Sequence, residues 1–179
     1  LLIGYEFIKA VRYAAMNRVL QKKVYIDGAT GLPNRNKCDE LLSQPDAAPE
    51  DIGVCSFDLN NLRIINNSMG HEAGDEYIRR FAVCLHASMS AEQFVGRAGG
   101  DEFIALLNDV TQQDVEDIIL QVQNEARCYN EFSKQIFIDF AFGYALSTHS
   151  RETNLKLLLN QADKNMYDCK TRMKQARKG

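Results

Sequence analysis

Along the chain the spacing of apolar residues changes period several times, and each change marks an element. From Leu1 to about Lys23 there is no proline, and Ile8, Val11, Ala15 and Val19 recur at helical spacing, which predicts a helix. Asp27 to Arg35 is turn chemistry throughout, and Asn34 is placed to cap a helix from Arg35 to about Ser43. Pro45 and Pro49 mark a loop between Gln44 and Asp51. Ile52 to Leu59 reads as a largely buried strand that carries an acid, Asp58, near its end. A short helix follows over Asn60 to Met69, stopped by Gly70, and a longer one runs from Asp75 to about Met89. Val95–Ala98 and Glu102–Leu107 are two short strands joined through Gly99, Gly100 and Asp101, a hairpin whose glycines are expected to take up positive φ angles. Val115, Ile118, Ile119, Val122 and Ala126 define a helix over Thr111 to Phe132. Gln135 to Ser147 is read as a strand and Asn154 to about Lys178 as a final helix. Strands alternating with helices, plus one hairpin, predict an α/β fold with a mixed central sheet flanked by helices.

Length and composition narrow this picture modestly. A chain of 179 residues accommodates one domain and a short appendage, and we expect residues 1–24 to be an N-terminal helix and linker and residues 25–179 the domain. The apolar stripe of the first helix fits either a coiled-coil seam between two protomers or a face packed on its own domain. Because the chain starts at Leu1 rather than Met, it is read as part of a longer protein with an upstream domain. A net charge of −3 gives no reason to expect nucleic acid as a partner. Five scattered cysteines without a C-x-x-C pair argue against a disulfide framework or a structural zinc site, and for a reducing, cytoplasmic setting. Glu6 and Lys9 interrupt the apolar start far short of the ~18 residues of a membrane span, so any membrane tether is expected outside this chain.

The chemistry concentrates in a few acids. A carboxylate at the end of a buried strand, such as Asp58, is costly unless it is paired or metal-bound. Asp101 and Glu102, side by side after the glycine pair, repel unless something cationic lies between them. If the two strands are neighbours, Asp58 and Asp101 converge on one edge of the sheet, and magnesium commonly uses one or two carboxylates together with substrate phosphates. Two such ions can hold the attacking and leaving oxygens of a displacement at phosphorus. Glu102 is then a further ligand or a general base, and Gly99 and Gly100 let the backbone approach a bulky anion. The competing reading is an ordinary solvated hairpin with an acidic tip.

Arg97-Ala98-Gly99-Gly100-Asp101-Glu102-Phe103-Ile104 resembles the signature of the GGDEF family, the diguanylate cyclases. Asp58-Leu59-Asn60-Asn61-Leu62-Arg63-Ile64-Ile65-Asn66-Asn67, with Gly70-His71 and Gly74-Asp75, resembles that family's D-x-D-x-F-K-x-x-N-D…G-H…G-D segment. Asp27 to Arg35 is similar to D-x-L-T-G-L-x-N-R, Ala141 to Ala145 to S-x-G-x-A, and Ala162 to Lys170 to A-D-x-A-M-Y-x-A-K. The resemblance implies a fold like nucleotidyl cyclases and polymerase palm domains, and condensation of two GTP to cyclic di-GMP and two pyrophosphates across a homodimer. Carried onto this chain, it implies that Asp58, the Leu59 carbonyl and Asp101 bind Mg2+ (or Mn2+). Asp101 or Glu102 would deprotonate the 3′-hydroxyl, and Gly99 and Gly100 would lie close to the α-phosphate. Asn66 and Asp75 would read guanine, whose adjacent N–H donors suit a carboxylate. Lys170, with Arg63 and Lys174, would meet the phosphates.

The departures matter. Arg63 and Lys174 exchange the family's usual Lys and Arg, keeping charge but changing shape. Ser90 and Gln93 stand where many members carry an R-x-x-D product-inhibition site, so feedback through that site is not expected. Control is expected instead through the N-terminal helix, with Arg97 paired to Asp27 as a coupling between that helix and the hairpin. The alternative function is a catalytically silent GTP-binding regulatory module; a cyclase making mixed GMP–AMP products is disfavoured by Asp75.

Overall fold

The central strands are apolar on both faces, and their alternate side chains feed two cores on opposite sides of one sheet. The computed structural model describes residues 6–7, 9–13, 16, 24–43, 51–149 and 154–176. Its elements are α1 (Arg35–Leu42), β1 (Gly53–Leu59), α2 (Leu62–Met69), α3 (His71–Ala87), β2 (Phe94–Arg97), β3 (Glu102–Leu107), α4 (Gln112–Phe132), β4 (Phe140–Leu146), a 3-10 turn at Ser147–His149 and α5 (Leu155–Ala176). Cys55, Phe57 and Leu59 of β1 and Phe103, Ala105 and Leu107 of β3 face a core shared with Tyr77, Phe81 and Leu85 of α3 and Val115, Ile119 and Val122 of α4. Val54, Ile104 and Leu106 face the opposite side, against Cys38 and Leu42 of α1 and Leu158 and Ala162 of α5. Asp58 and Glu102 fall on this second phase, toward α5.

The strand order is β2-β3-β1-β4, in a split β-α-β arrangement. The α/β class is as expected, but the mixed sheet is corrected: every described pairing, β1 with β3, β1 with β4 and β2 with β3, is antiparallel. The reason is topological. β1 and β2 run the same way, as do β3 and β4, but the hairpin inserts β3 between the first pair and β1 lies between the second.

Several boundaries also move. The long helix begins at His71, not Asp75, because Gly70 at φ 89° interrupts the helix for one residue and helix resumes at once. The last strand starts at Phe140 rather than Gln135. Before it, Asn130 brackets Ile138, donating to its carbonyl (2.8 Å) and accepting from its N–H (2.7 Å). Asn34 caps α1 as expected, accepting from the Lys37 N–H. Thr111 and Asp114 form a reciprocal capping box on α4. In the N-terminal stretch Glu6, Phe7, Lys9 to Tyr13 and Met16 are helical and exposed, Val11 among them. Ile8, Ala15 and Val19, the Gln44–Glu50 part of the predicted loop, and Lys178 lie outside the described residues. None of the five cysteines is disulfide-bonded.

β4 lies directly on α5. A Cβ on Gly143 would collide with the Met166 N, the Ala162 O and the Asn165 C, all backbone atoms. We therefore expect Gly143→Ala to lower stability by about 3 kcal/mol, because α5 must lift from the sheet. Gly53→Ala, whose Cβ would meet side-chain methyl groups of Val110 and Val115 at 3.1 Å and of Leu146 at 3.5 Å rather than backbone, is expected to cost less. Urea denaturation of the two variants side by side checks the ranking.

Candidate active site

The end of β1 and the start of β3 meet where the acids lie. Asp58 is directly across from Glu102, and the next residue, Leu59, donates its N–H to the Asp101 carbonyl at 2.9 Å. The expected adjacency of the two acidic segments is therefore present in the backbone. Asp58 is only 8% exposed, and the Lys170 Nζ lies 2.5 Å from its Oδ1. The match between strand and helix explains the pairing. The Ser56 hydroxyl lies 3.4 Å from the Met166 Sδ; two residues further along β1, about 6.6 Å, Asp58 meets Lys170, one α5 turn or about 6 Å further on.

At the turn, the glycines do not do what hairpin statistics suggest. Among the described residues only Gly31 and Gly70 are glycines at positive φ, so the expectation of positive φ at Gly99 and Gly100 is corrected. Space is what the two provide. A Cβ on Gly99 would run into the Glu102 carboxylate, whereas nothing lies within 4 Å of one on Gly100. The N–H groups of Ala98 and Gly99 both donate to the Glu102 carbonyl, at 2.9 and 3.1 Å, which closes the hairpin.

Arg97 fixes the turn from behind. Its Nη1 donates to both Asp27 carboxylate oxygens (3.0 and 3.1 Å), its Nε to the Gly99 carbonyl (3.1 Å) and its Nη2 to the Gly100 carbonyl (2.8 Å). Asp27 also accepts from the Thr30 N–H and hydroxyl. A shallow groove of about 360 Å³ lies over this junction, lined by Asp27, Asn34, Arg35, Arg97, Gly99 and Gly100. Partial burial pushes the Asp27 carboxyl up, but the bonds from Thr30 and Arg97 outweigh it and hold its pKa below the usual carboxylate value.

Asn66 on α2 packs against Gly74 on α3, the residue before Asp75. The Asn66 Oδ1 occupies the space that a Cβ on Gly74 would take, so this glycine lets the two helices approach. Asp75, the next residue, is exposed. It lies in the second turn of α3, past the first turn, where Glu72 is the acid placed to meet the helix dipole. Arg63 on α2 and Lys174 in the last turn of α5 are exposed, and neither forms an ion pair among the described residues. Gln93 serves the scaffold. Its Oε1 accepts from the Asn108 N–H (2.7 Å) and its Nε2 donates to the Asn108 carbonyl (3.3 Å), joining β2 to the end of β3. Among the described residues no three His, Cys, Asp or Glu side chains cluster as a ready metal site, and no helix is long and apolar enough to cross a membrane. Sequence reasoning missed Tyr77, a buried tyrosine whose hydroxyl reaches the backbone behind the acids. The available signal was a polar tip on an otherwise apolar helix stripe.

An antiparallel α/β sheet with Gly-Gly-Asp-Glu-Phe at its central hairpin and a strand-end aspartate beside it defines a class. The family described as "Diguanylate cyclase, GGDEF domain" matches residues 24–176, and the chain belongs to this GGDEF family. It is 32% identical over 152 residues to the cyclic di-GMP phosphodiesterase PdeB of Shewanella oneidensis, covering 80% of this chain and 17% of PdeB. It is 30% identical over 115 residues to the diguanylate cyclase DgcP of Escherichia coli, covering 62% of this chain and 34% of DgcP. The chain thus spans about a third or less of the length of these relatives. Its fold matches the coiled coil and GGDEF domain of DgcB from Caulobacter crescentus, solved in complex with c-di-GMP, at a TM-score of 0.81 and 18% identity, over 94% of this chain and 92% of that one.

The Arg97–Asp27 bridge yields a signed pH prediction. A folded-state pKa held below the ordinary value of 3.8 means that Asp27 stabilises the fold fully above that value, and that this contribution is lost as pH falls through the lowered pKa. Asp27→Asn is expected to lower stability by about 2 kcal/mol at neutral pH. The gap to the parent chain should close as acid protonates Asp27, which urea midpoints across the acid range would show.

Proposed function

We propose that this chain is a diguanylate cyclase domain, condensing two GTP to cyclic di-GMP and two pyrophosphates with two copies facing each other. The observation that carries the reading is the buried Asp58 at the β1 end, holding a cation beside a turn that presents Asp101, Glu102 and an open Gly100. An all-oxygen donor set, the Asp58 and Asp101 carboxylates and the Leu59 carbonyl, suits Mg2+ or Mn2+, which need only one or two carboxylates when phosphates complete the shell. That Asp58 already sits against an ammonium group marks the position as one built for positive charge. When bound, the metal neutralises phosphate charge and makes the attacking hydroxyl more acidic.

The protein groups do the rest. Asn66 and Asp75 accept the guanine N–H donors and orient the base. Gly100 leaves room for the α-phosphate, and Gly99 lets the Glu102 side chain fold close to the turn. Asp101 or Glu102 takes the proton of the 3′-hydroxyl as its oxygen bonds to the α-phosphorus of the facing GTP and the bond to pyrophosphate breaks. Lys170 moves from Asp58 to the terminal phosphates, joined by Arg63 and Lys174. Because each domain supplies one GTP, the working unit is a homodimer. Residues 1–24 serve as the linker from an upstream sensory domain to the catalytic domain over 25–179, and the setting is cytoplasmic.

The test is product formation from GTP and Mg2+ by the chain fused to a strong dimerising coiled coil. Cyclic di-GMP is expected, with Asp101→Ala reducing turnover by about a hundredfold or more. A folded dimer that binds GTP without turnover overturns the enzyme in favour of a silent GTP-binding regulatory module.

A further inference from the structure

We propose that Tyr77 is a positioning residue: through its hydroxyl it aligns the cation-binding end of β1 with the base-reading helix α3. The inference rests on the cyclase reading and deepens it. Tyr77 is fully buried on α3, two residues after Asp75. Its hydroxyl lies 2.9 Å from the Asn60 carbonyl and 2.7 Å from the Asp139 carbonyl, and accepts from the Asp139 N–H at 3.1 Å. The Asn60 N–H in turn donates to the same Asp139 carbonyl at 2.8 Å. Backbone groups of both Asn60 and Asp139 thus close on one phenol oxygen, directly behind Asp58 and Leu59.

Peptide geometry carries the argument from there. The Leu59 carbonyl and the Asn60 N–H belong to one planar trans peptide and point in opposite directions. Holding the Asn60 N–H against Asp139 therefore aims the Leu59 carbonyl away from β4. The Leu59 N–H is fixed independently to the Asp101 carbonyl at 2.9 Å. Two residues later Asn61 adopts a left-handed backbone at φ 64° and a helix begins at Leu62, so regular strand pairing no longer controls the chain just beyond the clamp. The ring of Tyr77 fills core space that phenylalanine would fill equally well. What the hydroxyl adds is a fixed distance between the helix that carries Asp75 and the strand end that carries Asp58.

The experiment is Mn2+ titration, read by paramagnetic resonance, of the chain loaded with a non-hydrolysable GTP analogue, together with GTP kinetics of the coiled-coil dimer. Tyr77→Phe is expected to weaken Mn2+ binding about fivefold and to lower kcat about tenfold, with KM for GTP shifted less than about twofold. Val115→Ala, a truncation of a buried α4 residue packed beside Gly53 at the opposite end of β1, controls for lost stability and is expected to leave Mn2+ affinity in place. If Asp58→Asn abolishes Mn2+ binding while Tyr77→Phe changes it less than about twofold, the role of Tyr77 is overturned and the cyclase reading stands. If the parent chain binds no Mn2+, or Asp58→Asn leaves binding intact, the site reading falls and this inference with it.

Discussion

The site depends on one constraint, a carboxylate buried at the end of the central strand. Asp58 sits at 8% exposure between the sheet and α5, where an uncompensated charge is costly. The compensation reaches it through the register of β1 against α5, which brings Lys170 onto its oxygen. The register of β1 against β3 sets Glu102 opposite Asp58 and binds the Leu59 N–H to Asp101. A one-residue slip of β1 would turn Asp58 into the phenylalanine-rich core and lose all three relations together. Stability of the strand pairing and integrity of the acidic site are therefore the same requirement.

A second layer of organisation holds the hairpin. Arg97 spreads its guanidinium over Asp27 and the two glycine carbonyls, so the turn is anchored to the segment that leads in from the N-terminal helix. The fork shape of arginine makes this possible, since a lysine cannot satisfy four acceptors in one plane. Movement of the Asp27 segment is thereby mechanically tied to the peptide groups beside Asp101.

Much of the architecture was legible because local chemistry bounded it. The hairpin strand Glu102–Leu107 was found at its true limits, since a glycine turn precedes it and Asn108-Asp109 follows. The start of α3 was not, because Gly70 stops the preceding helix and Gly74 is a poor helix former. In three dimensions Gly74 is a helical residue that makes room for the Asn66 side chain. The central glycines show a similar limit. Sequence displays a glycine but not which of its properties is used, and here it is the missing Cβ rather than positive φ. The paired acids and Lys170 were found as residues, and the Arg97–Asp27 bridge as a pairing. The Lys170–Asp58 contact and the Tyr77 clamp were not, because both arise from strand order and helix register between segments far apart in the chain.

The central claim is that Asp58 and Asp101 form one cation site at the β1–β3 junction. Its most direct test is a crystal structure of the chain with Mn2+ and a non-hydrolysable GTP analogue, with the metal located by its anomalous scattering. The account predicts an anomalous peak bonded to both carboxylates and the Leu59 carbonyl, with Lys170 moved from Asp58 to the terminal phosphates. A peak remote from Asp58, or nucleotide bound with Lys170 still on Asp58 and no metal between the acids, would contradict it.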